Sequence, residues 1–235
     1  MIKVLVFGAT GRMGLEVIKA ISDSKTFKLI AAISSPSSKY LTHDSGLLSC
    51  ERVNEVLISG SLTDVSGDVD VAIDFSNPDS SMRCLRYCAE RGIRFISGTT
   101  GFQNHHHKEI QMLSKKTAVC LASNFSKGIA LMSMLVEIAS KTSGDDTQIL
   151  INETHHKDKV DAPSGTAIDL AASIYRASKD SSADREVSFS STRSGTNIGS
   201  HKVSFISETE SIFLNHEVTD RAVFSLIFIL FQKGF

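Results

Sequence analysis

The first 33 residues constrain the fold more than any other part of the chain, because they run strand, glycine turn, helix, strand. Ile2 to Phe7 is a short apolar run, the pattern of a strand buried on both faces of a parallel sheet. Gly8-Ala9-Thr10-Gly11-Arg12-Met13-Gly14 follows without a break, and Leu15 to Ser22 then carries Val17, Ile18 and Ile21 at helical spacing. Phe27 to Ile33 reads as a second buried strand. Two strands joined through a helix in so short a span make a right-handed βαβ unit, the opening of a doubly wound sheet.

The turn also has a chemical reading. In the spacing Gly8-x-x-Gly11-x-x-Gly14, a tight turn lets the backbone approach a pyrophosphate. The helix start adds N–H groups and the positive end of a dipole. A glycine triplet by itself would also serve a plain strand-to-helix turn, but its position between a buried strand and a helix favours the phosphate reading. The second strand should end in the residue that chooses the dinucleotide, a carboxylate for a ribose 2′-hydroxyl or an arginine for a 2′-phosphate. Here it ends in Ser34-Ser35. With no carboxylate to repel a 2′-phosphate, and with Arg12 or Lys39 to assist the serines, the sequence leans slightly to NADPH over NADH.

The alternation continues. Val69 to Phe75, Arg94 to Ser97 and Ala118 to Ala122 read as strands; Ser80 to Arg91 and Lys108 to Lys116 read as helices. This predicts a mainly parallel, doubly wound sheet. Ser35 to Gly60 is polar and irregular, a long loop with one short strand. After Ser126 the texture changes. Ile129 to Ser140 and Ala167 to Arg176 are amphipathic helices, and Lys179 to Arg185 is a polar loop. Gln148 to Glu153, Val187 to Ser191, His201 to Ser207 and Ser211 to His216 look like strands, the last three as an antiparallel run. The expectation is an α/β chain with domains at 1–126 and 127–216, the second a smaller α+β layer. An apolar tail, 217–235, is expected to return to the first as a helix.

Composition narrows the function classes. Lys+Arg 25 against Asp+Glu 26 gives a formal charge of −1, which argues against a globally basic nucleic-acid binder. The longest apolar stretch, Ala222 to Phe231, falls short of the ~20 residues a membrane helix needs, and Met1-Ile2-Lys3-Val4 carries no signal pattern. A cytoplasmic protein without membrane or nucleic-acid partners is expected. Cys50, Cys84, Cys88 and Cys120 lack zinc spacing and read as buried or half-buried thiols. His105-His106-His107 reads as a solvated helix entry, Asp74 as a strand-end cap, and Met132 and Met134 as packing. No metal site is expected.

Glu153 to Ala167 is the most chemical segment. It holds two histidines, two lysines and a Ser164-Gly165-Thr166 turn at a helix start. Imidazole exchanges protons near neutral pH, and ammonium supplies a fixed positive charge. Hydroxyls and N–H groups at a helix start suit a carboxylate. A solvated polar loop capped by Ser164 fits the composition equally well.

Here the chain resembles the dihydrodipicolinate reductase (4-hydroxy-tetrahydrodipicolinate reductase) family. Its pattern E-x-H-H-x-x-K-x-D-A-P-S-G-T-A is matched by Glu153 to Ala167 at every fixed position. Gly8 to Gly14, Asp74 to Pro78, Gly98 to Phe102 and Asn124 to Gly128 match its other blocks in order. The resemblance implies a Rossmann-type domain and a substrate domain that also forms a homotetramer, with hydride passing from NAD(P)H to a small cyclic dicarboxylate. It implies that Gly8, Ala9, Thr10, Gly11, Arg12 and Met13 hold the pyrophosphate, with Ser34 beside the adenosine ribose. Gly98, Thr99 and Thr100, with Ala122, Ser123, Asn124 and Phe125, would line the nicotinamide side. His155 would exchange the proton, Lys159 would be a second donor, and His156, Gly165 and Thr166 would bind the substrate carboxylates. Arg193, Gly195, Gly199 and His201 match a further R-x-G…G-x-H region, and His216 and Arg221 a late H-x-x-x-x-R. The chain departs in Asp158, in a short 187–199 region and in a brief tail. A dehydrogenase acting on an amino acid, or a nucleotide-sensing scaffold, are the competing readings.

Overall fold

Short strands buried on both faces build the first sheet of the computed structural model, which describes residues 1–157, 159–177, 186–220 and 223. The chain divides into two compact units between Ala122 and Ser123. Asp158, the loop 179–185, Arg221 and the expected closing helix of the tail lie outside the described residues.

In the first unit, β1 (Ile2–Phe7), β2 (Phe27–Ile33), β3 (Ile58–Ser59), β4 (Val71–Asp74), β5 (Arg94–Ser97) and β6 (Val119–Leu121) form a parallel sheet. Its order is β3-β2-β1-β4-β5-β6. Four helices accompany it: α1 (Arg12–Ser22), α2 (Ser45–Cys50), α3 (Pro78–Arg91) and α4 (Asn104–Leu113). Val4, Leu5, Val6, Ala72, Ile73, Phe95 and Ile96 are fully buried, which is why these strands read as continuous apolar runs. Each such aliphatic or aromatic side chain contributes ~1.5–3 kcal/mol on burial. Cys84 and Cys88 are buried on one face of α3, as expected. The strand order reverses at β1, whose neighbours β2 and β4 lead away in opposite directions. This is the switch point where open parallel sheets bind ligands, beyond the strands' C-terminal ends.

Helix ends depart from the sequence reading. α1 begins at Arg12, directly after Gly11, rather than at Leu15. α2 was expected as loop; its start is set by the Asp44 carboxylate, which accepts from the N–H groups of Gly46 and Leu47, both at 2.9 Å. Those bonds, with others from Asn54 and Glu55, outweigh its desolvation and lower its pKa. α4 starts at Asn104, and its histidines are not uniformly solvated. His106 is buried, its Nδ1 accepting from the Gln103 N–H at 3.0 Å in a capping box.

The glycine turn is forced by close approach. Gly8 has φ +82°, and a Cβ there would lie 2.3 Å from the Phe75 carbonyl oxygen at the end of β4. A Cβ on Gly14 would lie 2.2 Å from the Gly8 carbonyl oxygen. Gly11 is less constrained, its nearest neighbour being that same oxygen at 3.2 Å.

In the second unit, β7 (Gln148–His155), β8 (Val187–Arg193), β9 (Ser200–Ile206) and β10 (Ser211–Glu217) form a sheet of order β10-β9-β7-β8. The expected antiparallel run is corrected at one point. β9 runs antiparallel to β7 and β10, but β8 pairs in parallel with β7. The reason is α6 (Gly165–Ala177), which lies between β7 and β8 in sequence and makes their connection a crossover. With α5 (Lys127–Thr142) it supplies the core, in which Met132, Val136, Leu170 and Ile174 join Ile149, Ile151, Val203 and Phe205 from the strands. Met134, expected to pack, is instead exposed. Among the described residues no helix is long and apolar enough to cross a membrane.

These contacts predict unequal glycines. Gly14→Ala should cost roughly 2 kcal/mol or more, because two backbone segments must separate, while Gly11→Ala should cost under about 1 kcal/mol. Thermal denaturation of the two variants reads the difference.

Candidate active site

The first unit presents its candidate residues beyond the strand ends. The Ile33 carbonyl accepts from the N–H groups of both Gly8 and Ala9 at 2.9 Å, tying the loop to the end of β2. The Thr10 and Ser34 hydroxyls lie 2.5 Å apart, so Ser34 is joined to the glycine loop. At the start of α1 the cap residue, Gly11, has no side chain to offer the first N–H groups, and the first turn holds no acidic residue. A diphosphate fits this cradle, where side chains are excluded at Gly8 and Gly14 and the helix dipole favours an anion.

Gly98, Thr99 and Thr100 follow β5 and are fixed by Asp74, which is fully buried at the end of β4. Its carboxylate accepts from the hydroxyls of Ser76 at 2.5 Å, Ser97 at 2.6 Å and Thr99 at 2.8 Å. The Ser97 hydroxyl accepts in turn from the Thr99 N–H at 3.1 Å, and the Thr99 hydroxyl from the Ser76 N–H at 3.0 Å. Burial raises the Asp74 pKa, while the three hydroxyls together with Ser81 oppose that rise. Gly98 lies against the Phe75 ring, which a Cβ would meet at 2.1 Å. The strand-end role expected of Asp74 is therefore wider, since it organises the turns after both β4 and β5.

In the second unit, β7 alternates, with Ile149, Ile151, Glu153 and His155 all buried on one face. His155 Nδ1 is hydrogen-bonded to one oxygen of Glu153. The other oxygen accepts from Arg193 Nη2 on β8 at 2.8 Å and from the Ser164 N–H at 3.2 Å. Arg193 also donates to the Asp161 carbonyl. His201 on β9 packs edge-on to His155 with ring centroids 5.1 Å apart, and its Nε2 lies 3.3 Å from the Ser164 hydroxyl. Beside His155 Nε2 is Gly199, where a Cβ would come within 3.2 Å.

Burial would raise the Glu153 carboxyl, but the Arg193 hydrogen bond and the neighbouring positive charges bring its pKa down to about 2. Burial lowers the His155 pKa; Glu153 pulls it up and Lys159 pushes it down. Burial takes His201 down to about 3, which keeps it neutral.

Lys159 lies in the loop after β7, its ammonium 2.7 Å from Asp161. The turn is closed by the Lys159 N–H donating to the His156 carbonyl at 3.2 Å. Ser164 caps α6 through the Ala167 N–H at 3.2 Å, placing Gly165 and Thr166 in its first turn. Two groups of residues expected to have separate roles meet here. The Asn124 amide donates to the Thr166 hydroxyl at 3.2 Å, and the Ser123 hydroxyl to Asp169 on α6.

Glu153 and Arg193 were not singled out as site residues from sequence. The signal was available: an acid two residues before a histidine on the inward face of an alternating strand needs a partner. Reading β7 as ending at Glu153 hid it, since the strand runs on to His155. Ligand atoms of Glu153, His155 and His201 lie within 4.8 Å of one another. Both Glu153 oxygens are already engaged, one by His155 and the other by Arg193 and the Ser164 N–H.

A glycine loop that a diphosphate fits, in one unit, and a buried imidazole with an ammonium and a hydroxyl-lined helix start, in the other, are features that a nucleotide-dependent reductase would use. Comparison with known proteins agrees. Residues 2–125 match the family model described as dihydrodipicolinate reductase, N-terminus, and residues 128–226 the one described as dihydrodipicolinate reductase, C-terminus. The 4-hydroxy-tetrahydrodipicolinate reductase of Buchnera aphidicola subsp. Baizongia pistaciae is 35% identical over 95% of this chain and 88% of its own length. That of Acinetobacter baumannii is 35% identical over 94% of this chain and 86% of its own. The solved dipicolinate-bound dihydrodipicolinate reductase from Paenisporosarcina sp. TG-14 shares the fold at a TM-score of 0.72 and 24% identity, covering 99% of this chain and 94% of that one. The chain belongs to the dihydrodipicolinate reductase family.

The cluster has a pH signature. His201, held at about 3 when folded, takes up a proton near 6.5 when unfolded, so its contribution to stability is complete above that value and is lost as pH falls toward 3. Glu153 acts likewise between 4.5 and about 2. Melting temperature should therefore fall as the pH drops below 6.5, and His201→Gln should flatten the 6.5-to-4.5 part of that curve.

Proposed function

We propose that this protein reduces 4-hydroxy-tetrahydrodipicolinate to tetrahydrodipicolinate in the diaminopimelate route to lysine. The observation that carries the reading is His155, a buried imidazole with a carboxylate behind Nδ1 and, beside Nε2, a space kept open by Gly199. Loss of the substrate's 4-hydroxyl as water leaves a conjugated imine, and a reduced nicotinamide, when bound, would supply the hydride that this ring takes at C4.

The chain's own residues do the rest. Gly8 to Met13 hold the diphosphate, Ser34 takes the adenosine ribose, and Gly98 to Thr100 with Ala122 to Phe125 serve the nicotinamide side. The ring gains an electron pair with the hydride and must take up one proton, which His155 gives at Nε2, with Lys159 as second donor. Lys159, His156, Gly165 and Thr166 bind the two carboxylates, so that orientation adds to proton transfer. NADPH is favoured over NADH because a hydroxyl pair, Thr10 and Ser34, stands where a carboxylate would repel a 2′-phosphate. Four free cysteines fit a cytoplasmic setting. Exposed Phe189, Ile212 and Phe213 on the two edge strands of the second sheet favour a homotetramer built on that unit.

Steady-state assays test the chemistry. NAD(P)H oxidation should require the cyclic dicarboxylate, with kcat/KM higher for NADPH. His155→Gln should lower kcat by roughly 10²-fold or more with little change in KM, and Lys159→Ala should harm both. Wild-type turnover in both variants removes the assignment. Light scattering should give the mass of four chains, and a monomer would refute the tetramer.

A further inference from the structure

Glu153 does no chemistry in that reading, yet it is the most enclosed charge in the described part of the second unit, its side chain fully shielded from solvent. We propose that Glu153 is a positioning residue: by accepting the Nδ1 proton of His155 it fixes the imidazole tautomer and leaves Nε2 as the atom that exchanges a proton with substrate. The inference rests on the reductase reading for the identity of that substrate and on geometry for everything else.

The groups around the carboxylate, Arg193, the Ser164 N–H, His155 Nδ1 and the Ser191 hydroxyl, all meet it as donors. Arg193 Nη2 at 2.8 Å and the Ser164 N–H at 3.2 Å can only donate, and both take the same oxygen. The remaining oxygen belongs to His155 Nδ1. An ionised carboxylate only accepts, so Nδ1 carries hydrogen whether the ring is neutral or charged. Glu153 is ionised across the working range, with its pKa near about 2. His201 packs edge-on to the ring, with centroids 5.1 Å apart, and restricts its turning. The charged and titratable groups facing His155 are Glu153 on its own strand, Arg193 on β8, His201 on β9 and Lys159 in the following loop. Of these, Glu153 alone favours the protonated ring.

A glutamine at this position is not a neutral replacement. Arg193 and the Ser164 N–H both demand an oxygen, which turns the amide nitrogen toward His155. Nδ1 must then accept, which moves the neutral tautomer to Nε2–H and removes the charge that supports the imidazolium.

Side-chain 15N NMR of histidine-labelled protein reads the tautomer directly, with the His155 signals identified by their loss in His155→Gln. The native protein should show Nδ1–H, and Glu153→Gln should show Nε2–H. In that variant the pH limb on which kcat/KM falls as His155 loses its proton should move down by about one pH unit or more. Arg193→Lys, which keeps a donor beside the carboxylate, should retain the native tautomer. Native Nε2–H overturns the proposal without any variant, as does a Gln variant whose tautomer and pH limb are unchanged. These results leave the reductase reading untouched, whereas native protein with Nδ1–H but no substrate-dependent NAD(P)H oxidation defeats that reading alone.

Discussion

The buried carboxylate of Glu153 is the constraint on which the second unit's site depends. A charge taken out of water persists only if its lone pairs find donors, and the cost of leaving one unmatched is several-fold larger than the gain from a surface pair. Glu153 collects its donors from three places: β7 through His155, β8 through Arg193, and the start of α6 through the Ser164 N–H. A group that needs all three holds the strand pair and the helix start in one arrangement. The imidazole proposed to exchange a proton and the helix start proposed to receive carboxylates are thus braced by a single side chain. His201, neutral through burial, completes the brace by touching both His155 and Ser164.

The first unit meets a different demand, the close approach of backbone to backbone. The turn after β1 lies against the end of β4, with Gly8 under the Phe75 carbonyl and Gly14 under Gly8. The turn after β5 is held by the hydroxyls that Asp74 gathers. One turn is kept narrow by missing side chains and the other is kept rigid by buried polar ones. Both devices present N–H groups and hydroxyls at the sheet's switch point, where a dinucleotide-binding loop is useful.

Much of this was legible beforehand, and the misreadings have common causes. Continuous apolar runs identified β1, β2, β4 and β5 because parallel strands covered on both faces carry no polar alternation. The block from Glu153 to Ala167 identified the family, because every fixed position of that family's pattern is matched there. The short α2 was missed because its start comes from Asp44 bonding locally and to a segment several residues on, which leaves no periodic trace. β8 was read as part of an antiparallel run because alternation reports which face is buried and says nothing of strand direction. Met134 was assigned to the core on its neighbours' hydrophobicity, but the helix turns it outward.

What the sequence determined by itself was the kind of each element and the inventory of reactive groups, because periodicity and residue chemistry are local properties. Only the tertiary structure decided which of those groups meet. Glu153 and Arg193 are forty positions apart in sequence, and Asp74 and Thr99 twenty-five. Pairs at such separations are selected by strand order and crossover, which arise from burying whole faces together.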